Sequence, residues 1–256
     1  MIEAPEHAGP VEEVVSRPVV ELSGVSRVFG VDPPVHALRE VELSIWPGEW
    51  VAIVGPSGSG KSTLLNVLGL LDRHTAGTYR LEGVDVEQLG DLSRAGLRGR
   101  RIGFIFQSFH LLPHRTVLEN VMLAELYVGA SRRGRRDRAM AALERVGLTE
   151  RAEFLPTRLS GGQQQRAAIA RALMGEPSLL LCDEPTGNLD SQNAESVLDL
   201  FDQLSQESLT LAVITHDDHV ASRAHRRVRI IDGVLREVEA DESPAAALPA
   251  DPVAER

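Results

Sequence analysis

Nine consecutive residues, Gly55-Pro56-Ser57-Gly58-Ser59-Gly60-Lys61-Ser62-Thr63, have the composition and spacing of a phosphate cradle. The three glycines let the backbone curl so that successive N–H groups point inward at an anion, with no side chains in the way. Lys61 adds a point charge for the β- and γ-phosphates, and the Ser62 hydroxyl is placed to ligate Mg²⁺. The aliphatic run Trp50–Val54 leads into the loop, and Leu64, Leu65, Val67 and Leu68 follow it. A strand and a helix over 61–71 are therefore expected on either side, the helix turning its positive N-terminal dipole toward the same phosphates. A merely glycine-rich turn does not need that setting. The expected ligand is a nucleoside triphosphate.

A second aliphatic run, Leu179–Cys182, ends in Asp183-Glu184-Pro185. Ligands of open α/β sheets collect at the carboxyl ends of strands, where these two acids would sit. Asp183 is the natural Mg²⁺ partner beside Ser62, and Glu184 the general base for an attacking water. His216 follows the run Leu209–Ile214 and Thr215, so it reaches the same edge and could donate to a γ-phosphate. Gln107 closes the run Ile102–Phe106 and could reach Mg²⁺ and the water.

Ser160-Gly161-Gly162-Gln163 opens a helical stretch that Gly175 and Pro177 stop. Two glycines in a first turn are costly for a helix and unnecessary for packing. They bare backbone N–H groups at a helix N-terminus, a second anion site. One protomer needs one cradle, so the second is expected to serve a nucleotide held by another copy. A head-to-tail homodimer with ATP at its seam follows.

The elements that must position these groups are of two kinds. Val19–Leu22, Val25–Phe29 and Leu38–Ile45 alternate like antiparallel strands, whereas the runs at 50–54, 102–106, 179–182 and 209–214 are apolar throughout, as for strands covered on both faces. Helical patterns cover 61–71, 116–128, 135–146, 160–174 and 191–207. The fold class is α/β with a parallel core sheet, and the largely helical segment over about 93–159 reads as an inserted subdomain. Residues 1–17 and 239–256, rich in Pro, Ala and Glu, read as disordered tails flanking a domain over 18–238.

Composition narrows the setting. The chain has 256 residues, 43% apolar and 25% charged, with net charge −10, which disfavours a nonspecific grip on nucleic acid. A single cysteine, Cys182, forbids an intrachain disulfide and fits a reducing compartment. It reads as a small buried hydrophobe. No apolar stretch approaches bilayer-spanning length, and the acidic N-terminus is unlike a secretory signal. The arginines at 132, 133, 135, 136 and 138 read as a solvated helix start.

With these residues in hand, the chain resembles the ATP-binding subunit of an ABC transporter over roughly residues 19–238. The decisive element is LSGGQQQR at 159–166, the ABC signature. It occurs in order with the Walker A loop at 55–63, the Q-loop Gln107, the Walker B strand at 179–184, the D-loop Gly187-Asn188-Leu189-Asp190 and the switch His216. Stretches such as DEPTGNLDS resemble a subgroup of macrolide-exporter, lipoprotein-releasing and cell-division ATPases.

The resemblance implies a P-loop NTPase (RecA-like) core with an antiparallel β subdomain and an inserted helical subdomain. It also implies that Phe29 stacks on adenine where many relatives place a tyrosine, and that Asp190 belongs to the nucleotide-binding interface. ATP and Mg²⁺ are the implied cofactors, and an integral membrane permease is the implied partner. The expected location is the cytoplasmic face of the plasma membrane, peripheral through that permease. The rival expectation is a soluble ABC ATPase of DNA repair or translation; a long coiled-coil insertion or a second cassette would favour it.

Overall fold

The computed structural model describes residues 17–126 and 131–238. In chain order the elements are β1 (Val20–Phe29), β2 (Val35–Ile45), β3 (Trp50–Val54), α1 (Lys61–Leu68), β4 (Ala76–Leu81), β5 (Val84–Asp85), α2 (Asp91–Arg101) and β6 (Ile102–Phe106). They continue with α3 (Val117–Met122), α4 (Arg135–Arg145), α5 (Gly161–Leu173), β7 (Leu179–Asp183), α6 (Ser191–Gln206), β8 (Thr210–Ile214), α7 (Asp218–Arg223), β9 (Arg226–Ile231) and β10 (Val234–Val238).

Two sheets result. One is antiparallel, ordered β2-β1-β4-β5; the other is ordered β10-β9-β3-β8-β7-β6. In the second, β9, β3, β8, β7 and β6 run parallel and only β10 is antiparallel. Its continuous apolar strands are buried on both faces because adjacent side chains feed two different cores. Leu180, Cys182, Leu211 and Val213 pack toward the helices, with Leu143, Leu173 and Phe201. Leu179, Leu181, Ala212 and Ile214 pack the other way, with α1 and with Val20, Leu22 and Leu38 of the antiparallel sheet. Burial also raises the Cys182 thiol well above its ordinary pKa, which leaves it a neutral core residue.

Within 93–159, β6 is an edge strand of the parallel sheet, and α2 before it leans on the core through Arg94 to the Asp72 carbonyl and Arg98 to the Leu70 carbonyl. The helices that stand apart from the sheet therefore begin after Phe106. The helix expected over 116–128 is α3 followed by a 3-10 turn at Leu123–Glu125, and positions 127–128 lie outside the described residues. So do the tails at 1–16 and 239–256. The arginine run is not wholly solvated: Arg138 Nε and Arg135 Nε lie 2.6 Å and 3.5 Å from carboxylate oxygens of buried Glu125. Helices α2 and α7 and the β9–β10 hairpin were not among the expected elements.

Candidate nucleotide site

The ends of four parallel strands lie level. Ile53 and Asp183 both pair with Ile214, and Asp183 pairs with Phe106. The residues that follow, the phosphate loop, Gln107, Glu184 and Thr215-His216, therefore share one sheet edge, the edge at which α/β sheets bind ligands.

A cavity of about 680 Å³ opens on the phosphate loop, lined by Ser57–Thr63 and by residues of β2 and the β9–β10 turn, His36, Arg39 and Asp232 among them. Gly60, at φ +110°, caps α1, and a Cβ there would meet the Ala37 carbonyl at 2.4 Å; only glycine fits. The hairpin turn braces the loop, since Gly233 N–H donates to the Ser59 carbonyl (2.9 Å) and Arg39 N–H to the Gly233 carbonyl (2.8 Å). Lys61 Nζ donates to the carbonyls of Gly55 and Pro56 at 2.7 and 2.8 Å. Phe29 pairs with Val35 of the cavity lining, and the Arg27 guanidinium lies 4.1 Å from its ring centroid.

The two acids differ in setting. Half-burial, then the neighbouring Glu184, push the Asp183 carboxyl above its ordinary pKa, and Lys61 pulls it back. Glu184 stands at φ +46°, a region that a non-glycine residue enters only when its surroundings hold it there. They do: Glu184 N–H donates to the Ile214 carbonyl (2.9 Å), and its carboxylate accepts from Thr215 Oγ1 (3.2 Å) and meets His216 Nδ1 at 2.7 Å. That contact with Glu184 raises the His216 pKa above its ordinary value.

Gln107 Nε2 donates to Asn188 Oδ1 (3.3 Å), and Asn188 Nδ2 returns a bond to the Gln107 carbonyl (3.0 Å). Ser160 and Gln163 form a reciprocal capping box at the start of α5. Asp190 caps α6, both of its oxygens being engaged by Asn193, and these bonds lower its pKa. Gly162 has a packing role that sequence reasoning denied it: a Cβ there would lie 2.1 Å from Asn193 Oδ1. Gly161 is under no such constraint, with 3.5 Å to Leu189. Sequence reasoning missed the β9–β10 turn and, though it named Thr215, Asn188 within the D-loop and the fully buried Gln165 within the signature, gave them no individual role. Adjacency to His216 could have flagged Thr215. Nothing in a run of three glutamines distinguishes the third.

No residue of 160–163 lines the phosphate cavity, and neither do Phe29, Gln107, Asp183, Glu184 or His216; the last four stand beside it through the shared sheet edge. Among the described residues no cluster of three or more His, Cys, Asp or Glu could hold a metal by itself. Ser62, Asp183 and the Gln107 amide are nonetheless hard oxygen donors with one carboxylate, the donor set of a Mg²⁺ that arrives with a triphosphate. A half-buried carboxyl whose pKa is raised is stabilised by such a cation.

Fold and site together define a phosphate-loop nucleotide-binding protein whose α/β core carries an antiparallel sheet and a helical insertion. A family model described as ABC transporter matches residues 38–187. The chain belongs to the ABC transporter family, as an ATP-binding and ATP-hydrolysing cassette. It is 50% identical over 218 residues to the uncharacterized ABC transporter ATP-binding protein YvrO of Bacillus subtilis (strain 168), covering 85% of this chain and 95% of that one. It is 48% identical over 234 residues to the macrolide export ATP-binding/permease protein MacB of Marinobacter nauticus, covering 91% of this chain but 36% of MacB. The chain thus spans about a third of the length of the MacB relatives it matches. Among solved structures, the dimeric post-hydrolysis state of the ATP-binding cassette MJ0796 bound to ADP and Pi matches with TM-score 0.76 and 40% identity, over 86% of this chain and 97% of that one. These relatives favour the transport role over a soluble ATPase of DNA repair or translation. Among the described residues no helix is long and apolar enough to cross a membrane.

Proposed function

We propose that two copies of this chain close head to tail around two ATP molecules and so power, or signal through, an integral membrane permease. In this reading Gly55–Thr63 of one copy cradle the triphosphate and Phe29 stacks on the base. Ser160, Gly161, Gly162 and Gln163 of the other copy complete the pocket, with Asp190 shaping the seam. Ser62, Asp183 and Gln107 would hold Mg²⁺, which supplies charge neutralisation at the β- and γ-phosphates. Glu184 accepts the proton of the attacking water, and His216 orients Glu184 and reaches the γ-phosphate.

The observation that carries the proposal is the spare cradle. The signature turn presents N–H groups at the start of a 13-residue helix, yet contributes nothing to the phosphate cavity of its own chain. A dimeric relative bound to ADP and Pi, and MacB relatives named as ATP-binding/permease proteins, support the same reading. Place at the cytoplasmic face of the membrane follows from that partner.

The test is Glu184→Gln. The variant should bind ATP, form a stable dimer in size-exclusion chromatography and hydrolyse very slowly. A protein that stays monomeric at saturating ATP sinks the composite site. Ser160→Arg should abolish hydrolysis with nucleotide binding nearly intact, whereas full loss of binding would place the signature in its own chain's pocket.

A further inference from the structure

Gln165, on the first turns of α5, is fully buried, and its Nε2 donates to the Pro185 carbonyl at 2.5 Å and to the Phe106 carbonyl at 3.4 Å. Both partners are backbone acceptors, which sets the orientation of the carboxamide: only its NH₂ end can face them. Its Oε1 is buried with no hydrogen-bond partner among the described residues, so the NH₂ end alone ties the side chain to its surroundings. The two carbonyls belong to the residues next to Glu184 and Gln107. The same two loops are already tied to each other by Gln107 and Asn188. Thus one side chain joins the helix that starts at Ser160 to the acid turn and to the strand end bearing Gln107.

We propose that Gln165 is a positioning residue that transmits engagement of Ser160–Gly162 with the partner copy's nucleotide to Glu184 and Gln107 of its own chain, coupling the two ATP sites. This rests on the composite-site reading above. Helix α5 is a rigid lever, so a small displacement at its N-terminus moves the Pro185 carbonyl only if the amide bonds hold. Removing them leaves each site able to bind but not to sense the other.

The test compares wild type with Gln165→Met, similar in volume but without donors, and Gln165→Glu. For Gln165→Met, fluorescent-nucleotide affinity of the free protomer should stay within about twofold, while kcat falls roughly tenfold and the Hill coefficient for ATP drops toward unity. Gln165→Glu sets a carboxylate against two carbonyls. Its kcat relative to wild type should rise as pH falls, because the protonated acid regains one donor. A melting temperature within about 3 °C of wild type, together with loss of cooperativity, supports coupling. Unchanged kcat and Hill coefficient in Gln165→Met overturn it, as does a pH-independent ratio in Gln165→Glu. Should Glu184→Gln fail to dimerise, the composite site itself is wrong; if it dimerises while Gln165→Met stays cooperative, only the coupling role falls.

Discussion

His216 Nδ1 lies 2.7 Å from Glu184 Oε1, and Glu184 is held for that contact at φ +46° by backbone and hydroxyl bonds from the neighbouring strand. The pair raises the His216 pKa, so its stabilising contribution is complete below about pH 6.5 and is lost as pH rises through the elevated value. The difference in melting temperature between wild type and His216→Ala should therefore shrink from pH 6 to pH 9. In Glu184→Gln, NMR titration should show the His216 pKa moving back down. An unmoved His216 would contradict the pairing.

Gly162 and Asn193 meet where α5 packs on α6, with 2.1 Å between a would-be Cβ and Asn193 Oδ1. Gly162→Ala should destabilise by about 1–3 kcal/mol through overpacking. Asn193→Ala relieves that clash at the loss of the Asn193 Nδ2–Asp190 Oδ2 bond alone, since the backbone N–H that Asp190 caps remains. The double variant should be more stable than the sum of the single effects by about 1 kcal/mol in urea melts. Strict additivity would show that the helices simply move apart.

Glu125 is buried between Arg135 and Arg138. Glu125→Ala strands two guanidinium groups and should cost roughly 2–3 kcal/mol, less than a fully buried pair because Arg138 is partly exposed. Bonding to Arg138 lowers the Glu125 pKa, so the contribution is present above the ordinary carboxylate range and fades as pH falls through the lowered value. Urea melts of wild type and variant should converge in acid.

Phe29 ends β1 beside Val35 of the cavity lining, with Arg27 over its ring and Arg27 held in turn by Asp72 (2.8 Å). Phe29→Ala should weaken ATP binding by about tenfold, the worth of one aromatic stack, with kcat at saturation nearly unchanged. Phe29→Tyr should bind as wild type does. Equal affinity in the alanine variant, measured by titration calorimetry, would remove Phe29 from the base site.

Much of this architecture is local and legible in the sequence. The strand–loop–helix around Gly55–Thr63 needs only glycine spacing and an apolar run, and β3 and β6 coincide with their runs residue for residue. Two-sided burial of β7 and β8 was legible too, because Leu179–Cys182 and Leu211–Ile214 are apolar at every position. The polar elements were not. Helix α2 buries only Arg94, so it shows no apolar period, and β9 alternates Arg227 and Arg229 with buried Val228 and Ile230 over too few residues to stand out from its flanks.

What the chain encodes by itself is the list of reactive groups and the strands that deliver them, since motif spacing and strand hydrophobicity act over a few residues. What only the tertiary structure decides is which groups touch. The brace from Gly233 to Ser59, the clasp of Gln107 with Asn188, and the reach of Gln165 to Pro185 join residues 20 to 174 positions apart. Such contacts depend on strand order and helix packing, which no short stretch of sequence displays.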